Sequence, residues 1–237
     1  MTFKKKLVIR IIRILVDILC RVHDDRLDRV PLEGPLIIVS NHINFLEGPV
    51  IYTHLQPRQS TGYAADKSWK NPFFAFLFDL WEIISIKRGE PDITAIRKGL
   101  DYLKRGWILA IAPEGTRSGN GRLQRGRPGV VILAQKSDAP ILPISHHGGE
   151  YFWDNIKRLR RTDFSIIVGQ PFHLKNEGYK VNSEIRQKIT DEIMYQIAAL
   201  LPPENRGLYS NLSKATEEFL DFKPPAKSNL PSTITPS

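Results

Sequence analysis

A histidine and a glutamate lie five residues apart, directly after a short apolar segment. That segment is PLIIVS, residues 35–40, and it is followed by Asn41, His42 and Glu47. Five residues along one helix turn two side chains about 140° apart, so they would not meet there. They meet if His42 lies on the turn and Glu47 on the first turn of the next helix. A carboxylate on one imidazole nitrogen fixes the tautomer and leaves the other nitrogen free as a base. The spacing therefore predicts general-base chemistry. The alternative is a histidine that caps a strand beside an unrelated glutamate.

A second polar cluster follows the apolar segment at residues 107–112. Pro113 precedes Glu114, Gly115, Thr116 and Arg117, and two more arginines follow by residue 125. Arginine offers a planar fork of donors that matches phosphate, and glycine lets backbone N–H groups approach an anion. A carboxylate does not bind a phosphate dianion, so we expect Glu114 to orient an arginine or a backbone turn. The cluster predicts an anion site, with a plain polar turn as the alternative.

Apolar strand-like segments alternate with helical segments along most of the chain. This alternation predicts an α/β fold, with a largely parallel mixed sheet flanked by helices. Strands are expected at residues 35–40, 61–65, 83–86, 107–112, 139–145 and 163–170. Helices are expected at residues 45–55, 70–80, 92–106, 129–137 and 181–201. Both polar clusters would then follow the ends of strands.

The first 24 residues have the pattern of an amphipathic helix. Apolar residues are interrupted every three or four positions, at Lys6, Arg10, Arg13, Asp17, Arg21 and Asp24. These positions form one narrow polar stripe, and the apolar face is broad. Such a helix either packs in a core or lies in a membrane interface with its cations at the head groups. The uninterrupted apolar runs are too short to span a bilayer, and no cleavage site follows them. We expect the interfacial helix, attached to the cytoplasmic face of a membrane as a peripheral or monotopic protein.

The composition is that of a folded protein with a basic balance. The 237 residues carry a formal net charge of +9, which favours anionic partners such as a membrane surface, a phosphorylated substrate or nucleic acid. Cys20 is the sole cysteine, so no intrachain disulfide forms, and we expect it in the first helix. Residues 223–237 are rich in Pro, Ser and Thr and are predicted to be disordered. The main domain is expected over residues 25–222.

Four blocks together resemble the 1-acyl-sn-glycerol-3-phosphate acyltransferase (lysophosphatidic acid acyltransferase) family. The blocks are SNHINFLEGP, IKRG, APEGTRS and APILPIS, and they occur in the family's order between about residues 31 and 170. This chain has Glu47 where the family has aspartate, and Ala112 where the family has phenylalanine. The resemblance implies acyl transfer from a thioester to the free hydroxyl of 1-acylglycerol 3-phosphate, which forms phosphatidic acid.

The resemblance also implies roles for individual residues. His42 is the expected base and Glu47 its orienting partner. Transfer is expected to be direct, because no GxSxG elbow is present. The donor is expected to be acyl-CoA or an acyl carrier protein, with no cofactor and no metal. The adjacent His146 and His147 point different ways and do not make a metal site. The aromatic segment 71–81 is expected in the core, with part of it lining an acyl groove. Substrate binding is expected at Asn41, Arg88, Glu114, Gly115, Thr116, Arg117 and Pro143.

Two alternatives remain at this stage. The same chemistry could act on another acceptor, such as glycerol 3-phosphate, another lysophospholipid or a lyso-aminolipid. A non-catalytic basic protein that binds lipid or nucleic acid would explain the charge, but it would not explain His42 and Glu47 beside the PEGTRS segment. The basic residues are also not interleaved with aromatic residues as in RNA-binding sheets. We therefore expect a membrane surface and a lysophospholipid as partners, and no nucleic acid.

Overall fold

A twisted seven-stranded sheet forms the centre of the computed structural model, which describes residues 3–87, 92–175 and 182–232. The strand order is β1-β7-β6-β2-β5-β3-β4. Neighbours pair in parallel except β6 and β7, which are antiparallel. The strands are β1 (Cys20–Asp25), β2 (Leu36–Ser40), β3 (Ser60–Ala65), β4 (Ile84–Ile86), β5 (Ile108–Ile111), β6 (Ile141–His147) and β7 (Thr162–Val168). The predicted α/β fold with a largely parallel mixed sheet is confirmed.

Helices cover both faces of this sheet. Within the described residues they are α1 (Phe3–Leu19), α2 (Glu47–His54), α3 (Pro72–Leu80), α4 (Ile93–Lys104), α5 (Gly129–Ser137), α6 (Phe152–Lys157) and α7 (Ser183–Ala199). A small antiparallel pair, β8 (His173–Leu174) with β9 (Leu220–Asp221), lies apart from the main sheet. The helix α3 begins at Pro72, two residues later than predicted, because the Asn71 side chain caps it by accepting hydrogen bonds from the backbone N–H groups of Phe73 and Phe74.

Side chains of the central strand β2 pack into the core on both faces of the sheet. Its alternate residues Ile37 and Val39 join the core cluster beneath α4, α5 and α7, whereas Leu36 and Ile38 join the cluster beneath α1 and α2. All four side chains are buried. The end of β2, from which His42 projects, therefore sits on a rigid part of the molecule.

The N-terminal helix ends earlier than predicted. It stops at Leu19, and residues 20–25 instead form β1, which pairs with the edge of β7. Cys20 thus opens a strand and does not lie in the helix, and Arg21 and Asp24 leave the predicted polar stripe. The reason is that residues 20–25 find hydrogen-bond partners on β7, which lies 142 positions later in the chain and which local periodicity does not reveal.

Only one side of α1 packs in the core, which is one of the two arrangements that its sequence left open, and the membrane interface remains a prediction. Ile9 and Val16 are buried, and Ile9 packs with Tyr52, Leu77 and Trp81. The opposite side carries exposed apolar residues, namely Phe3, Leu7, Ile11, Ile14, Leu15 and Ile18. One face of α1 is therefore part of the core and another is left uncovered. No helix of the described chain is both long and apolar enough to cross a bilayer.

The C-terminal segment through Ser232 is not the disordered tail that its composition predicts. Asn229 accepts a hydrogen bond from the Gln170 backbone N–H at 2.6 Å and donates to the Gln196 side chain at 2.9 Å. Leu230 packs on the main core cluster. Tertiary contacts with α7 and the end of β7 supply the burial that the segment's own composition lacks. Residues 233–237 lie outside the described residues.

Candidate active site

The two polar clusters meet because they follow adjacent parallel strands. Residues Leu36–Val39 of β2 pair in register with Ile108–Ile111 of β5, so both strands end at the same edge of the sheet. Main-chain hydrogen bonds then join the two loops. The Ser118 N–H donates to the His42 carbonyl at 2.7 Å, and the Gly119 N–H donates to the Ile43 carbonyl at 3.0 Å. The two motifs therefore form one continuous structure.

His42 and Glu47 form the pair that their spacing predicts. Nδ1 of His42, on the turn after β2, makes a short hydrogen bond to Oε1 of Glu47, the first residue of α2. The second carboxylate oxygen, Oε2, accepts the Asn44 backbone N–H at 3.0 Å. Glu47 is only 6% exposed, and burial opposes its ionisation most strongly. The side-chain hydrogen bond from His42 is the largest opposing contribution, and together with the other stabilising contacts it outweighs burial, so the pKa of Glu47 is lowered. The carboxylate stays charged, and Nε2 of His42 remains for a substrate.

Glu114 holds the backbone around His42 rather than a ligand. Its Oε1 accepts the His42 N–H at 2.7 Å, and its Oε2 accepts the Gln124 N–H at 2.8 Å. This geometry agrees with the prediction that Glu114 orients a backbone turn. Burial raises the pKa of Glu114 to about 7, although both backbone donors favour the charged form. The side chain is buried and is not among the described residues that line the cavity presented below.

Two residues predicted to bind substrate have structural positions instead. The Asn41 amide is buried and continues the ladder between β2 and β6, because it donates to the His146 carbonyl at 2.8 Å and accepts the His146 N–H at 2.9 Å. Pro143 is buried within β6, opposite Val39, and does not line the cavity described below. Arg88 lies outside the described residues.

Gly115 makes room for an arginine that its sequence context did not single out. The φ angle of Gly115 is 68°, in the left-handed region that favours glycine. A Cβ there would lie 3.0 Å from Cδ of Arg127, so the Arg127 side chain runs directly over this glycine. The Gly115 N–H is already bonded to the Ala112 carbonyl at 3.0 Å. This N–H is therefore not free for an anion, and substrate binding at Gly115 remains a prediction. The sequence signal that could have pointed to Arg127 is its place as the third arginine after Arg117.

A largely apolar cavity opens beside the His42–Glu47 pair. It holds about 220 Å³, and Arg117, which is exposed, contributes to its lining together with His42. Its walls come from α2, β3 and α3, and they include Ile51, Tyr52, Leu77, Phe78 and Trp81. The aromatic segment 71–81 contributes to the core as expected, and Leu77 and Trp81, which are buried, also line this cavity. Thr116 is half-buried in the loop before Arg117.

Comparison with known proteins agrees with this arrangement. The profile of the family described as Acyltransferase matches residues 21–147, more than half of the chain. The chain belongs to the acyltransferase family. The matched segment contains His42, Glu47 and the whole Glu114–Arg117 loop, so the family signature covers the two motifs that the sheet edge brings together.

Several named relatives and one solved structure resemble this acyltransferase. A 1-acyl-sn-glycerol-3-phosphate acyltransferase of Pseudomonas aeruginosa is 27% identical over 185 residues, which cover 76% of this chain and 70% of the relative. One of Bacillus subtilis is 21% identical over 73% of this chain and 84% of its own length. The crystal structure of the 1-acyl-sn-glycerophosphate acyltransferase of Thermotoga maritima has a TM-score of 0.60 at 22% identity, covering 80% of this chain and 77% of that one. At that identity the structural likeness supports the fold alone.

Proposed function

We propose that this acyltransferase moves a fatty acyl group from a thioester to the free hydroxyl of 1-acyl-sn-glycerol 3-phosphate. The observation that carries the proposal is the His42–Glu47 pair at the opening of an apolar cavity, with Arg117 beside it. The names of the Pseudomonas and Bacillus relatives agree with this acceptor. The donor is acyl-CoA or an acyl carrier protein, and the reaction uses no cofactor.

The chemistry follows from the orientation of His42. Glu47 occupies Nδ1, so Nε2 accepts the proton of the acceptor hydroxyl as its oxygen attacks the thioester carbonyl carbon. The imidazolium that forms is stabilised by the Glu47 carboxylate. The tetrahedral intermediate then collapses, the C–S bond breaks, and the departing sulfur takes the proton back from His42. A thiol has a pKa near ~8.5, so it leaves with little help. The products are phosphatidic acid and a free thiol, and no acyl-enzyme is formed.

The cavity is suited to the acyl chain of a substrate. Its lining extends from His42 down to Ser60, which is in register with Ile108 and hence with Leu36 at the far end of β2. Leu36 and Ser40 are four residue steps apart along a parallel strand, so the distance between them is about 13 Å at roughly 3.3 Å per residue. An extended alkyl chain advances about 1.25 Å per carbon, given C–C bonds of ~1.5 Å at tetrahedral angles. The cavity therefore accommodates around ten carbons beyond the reacting centre.

The acceptor phosphate is proposed to bind at the loop after β5. Arg117 lines the cavity opening, and Arg127 lies over Gly115 in the same loop. Both guanidinium groups are on exposed residues, where they match a phosphate dianion in charge and in donor geometry. Glu114 does not compete with them, because both of its oxygens accept backbone N–H groups.

A membrane contact is proposed for the uncovered face of α1 and the neighbouring surface of α3. Lys4 Nζ lies 5.3 Å from the centre of the Phe76 ring, so the start of α1 adjoins α3. Phe73 is 63% exposed and Ile18 is 60% exposed. Exposed apolar residues of this kind, accompanied by cations, suit the interface of an anionic bilayer. It would bring lipid next to the cavity, since α3 is one of the cavity walls. Attachment to the cytoplasmic face remains a prediction.

An acceptor panel tests the proposed function. Purified protein would be given a long-chain acyl-CoA or acyl carrier protein and one of three acceptors: 1-acylglycerol 3-phosphate, 1-acylglycerol or glycerol 3-phosphate. Thiol release and the lipid product would be followed together. We expect efficient product formation only with 1-acylglycerol 3-phosphate. A preference for the phosphate-free lipid would overturn the phosphate site, and a preference for glycerol 3-phosphate or another lyso-lipid would reassign the acceptor.

A further inference from the structure

The peptide bond between Asn41 and His42 is held at both of its polar atoms by buried side chains. Its N–H, from His42, donates to Glu114 Oε1 at 2.7 Å. Its C=O, from Asn41, is bonded to Nε2 of His146 at 2.7 Å. Glu114 follows β5 and His146 belongs to β6, the two strands that flank β2. The peptide that leads into the proposed base is thus fixed from both sides.

The contact with the Asn41 carbonyl defines the state of the His146 ring. A carbonyl only accepts hydrogen bonds, so Nε2 must carry the proton. Nδ1 is buried and has no hydrogen-bond partner among the described residues. The ring is fully buried and stacks on Phe164 at 5.5 Å between centroids. Burial lowers the pKa of His146, so the ring is neutral with its proton on Nε2.

An unpaired buried nitrogen has a cost that simple core packing does not explain. An apolar residue of similar size would fill the space beside Phe164 without leaving a buried nitrogen unsatisfied, which is itself unfavourable. What an apolar residue lacks is a donor for the Asn41 carbonyl. Without that donor the peptide could rotate, and the His42 N–H would lose its alignment with Glu114. The orientation of the imidazole of His42 depends on this backbone.

We propose that His146 is a positioning residue for acyl transfer, acting through the Asn41 carbonyl to hold the backbone of His42 in its reactive orientation. This inference rests on the proposed function for its effect on rate. The hydrogen bonds that Glu114 and His146 make with the peptide bond between Asn41 and His42, here called the clamp, are a property of the folded protein. They can be observed without turnover. His146 does not line the cavity, so it does not contact substrate.

A matched pair of variants separates donation from packing. His146→Gln keeps an N–H donor at about the reach of Nε2, whereas His146→Met has a similar length and no donor. We expect kcat to fall about 10- to 100-fold in His146→Met, the size of effect that a small misplacement of a reacting group produces. His146→Gln should stay within about threefold of wild type, and KM for both substrates should change little in either variant. His147→Met, on the opposite side of β6, serves as the control and should leave kcat unchanged.

Two further measurements keep the proposal testable. His146→Phe provides a second donor-free ring if the methionine variant does not fold, as judged by melting temperature and circular dichroism. Nitrogen-15 NMR of the imidazole should show a neutral ring protonated at Nε2 at pH 7, and the His42 amide resonance should shift in His146→Met but not in His147→Met.

The outcomes are distinct. Full kcat in folded His146→Met and His146→Phe, or a ring protonated at Nδ1, would overturn the positioning role. An equal loss in His146→Gln and His146→Met would assign the effect to packing and also overturn it. If the wild-type protein transfers no acyl group to any acceptor, the proposed function fails. In that case the His42 amide and the His146 tautomer still decide whether the clamp exists.

Discussion

Replacing Glu47 by glutamine tests the proposed mechanism most directly, because the change keeps the size and removes the charge. Both partners of this carboxylate are donors: Nδ1–H of His42 to Oε1, and the backbone N–H of Asn44 to Oε2. An amide has one acceptor oxygen, so in Glu47→Gln the NH₂ group must face one of these donors. The variant therefore loses the carboxylate opposite the imidazolium and leaves one N–H group unsatisfied.

The magnitude follows from those two losses. A hydrogen bond to a charged group contributes about 1.5–3 kcal/mol. At about 1.36 kcal/mol per tenfold change in rate, losing it slows transfer roughly 10- to 150-fold. The unsatisfied donor adds about 1–3 kcal/mol, part of which destabilises the turn before α2. We therefore expect kcat to fall about 10²- to 10⁴-fold, the range of a general base that has lost its function.

Glu47→Asp is the informative comparison. Aspartate keeps the charge but is shorter by one C–C bond, about 1.5 Å, so a small shift at the start of α2 must close the gap. We expect it to lose less than about tenfold in kcat and to retain far more activity than Glu47→Gln. Glu33→Gln is the matched control, because Glu33 is exposed in the loop before β2, at the opposite edge of the sheet from His42. Its kcat should equal that of wild type.

The assay is release of free thiol from acyl-CoA in the presence of 1-acylglycerol 3-phosphate, with melting temperatures measured for every variant. Acyl carrier protein replaces CoA if the wild-type protein prefers it. A folded Glu47→Gln variant with near-wild-type kcat would refute the reasoning, because it would show that His42 does not depend on this carboxylate. Equal losses in the Gln and Asp variants would attribute the effect to position rather than to charge.

Four further predictions follow from the same contacts. His42→Ala should lower kcat about 10²- to 10⁴-fold while leaving the melting temperature within a few degrees, and normal turnover in this variant would contradict the base role. Arg117→Ala should raise KM for 1-acylglycerol 3-phosphate but not for the thioester, by a loss of about 1.5–3 kcal/mol, and steady-state kinetics with each substrate varied would reveal the opposite pattern if the assignment is wrong. Burial raises the pKa of Glu114 from 4.5 to about 7, so between these pH values the unfolded chain binds fewer protons than the folded protein. The unfolding free energy of wild type relative to Glu114→Gln should therefore fall as pH rises from about 4.5 to 7. Urea midpoints of both proteins at about pH 5 and about pH 8 would test this. Polar substitution of the exposed Ile14 and Ile18 should weaken binding to anionic vesicles at an unchanged melting temperature. The core substitution Ile9→Ala should instead cost about 2–5 kcal/mol of stability. Vesicle binding that survives the polar substitutions would show that another surface of the protein makes the membrane contact.

The helix α1 also changes how the membrane contact must be tested. Deleting the first 22 residues would remove an exposed apolar face, but it would also uncover Tyr52, Leu77 and Trp81, which Ile9 covers. A truncated chain would then aggregate whether or not the helix binds lipid. Substitutions confined to the uncovered face avoid this ambiguity, because those side chains are exposed and do not belong to the core clusters.

The sequence alone determined the features that depend on local pattern. Apolar segments of four to eight residues predicted six of the seven strands of the largely parallel sheet, and α5 was predicted with its observed bounds, Gly129–Ser137. The spacing of five between His42 and Glu47 predicted that they meet across a turn, because a helix would separate them. The sequence also predicted that both motifs directly follow strands, but the parallel pairing of β2 with β5, which brings the motifs together, is visible only in the structure.

Only the tertiary structure decided the features whose partners are distant in the chain. Residues 20–25 form a strand because the edge of β7 supplies hydrogen bonds. Residues 223–232 are ordered because Asn229 makes hydrogen bonds to Gln196 of α7 and to Gln170 after β7. The family resemblance implied that Asn41 binds substrate, whereas in the structure its side-chain amide makes two hydrogen bonds to the backbone of β6. Local periodicity reports which face of an element is apolar, but hydrogen-bond partners on other strands are set by the packing of the whole sheet. The same packing brings His146, 105 residues after Asn41, to the backbone of the proposed base.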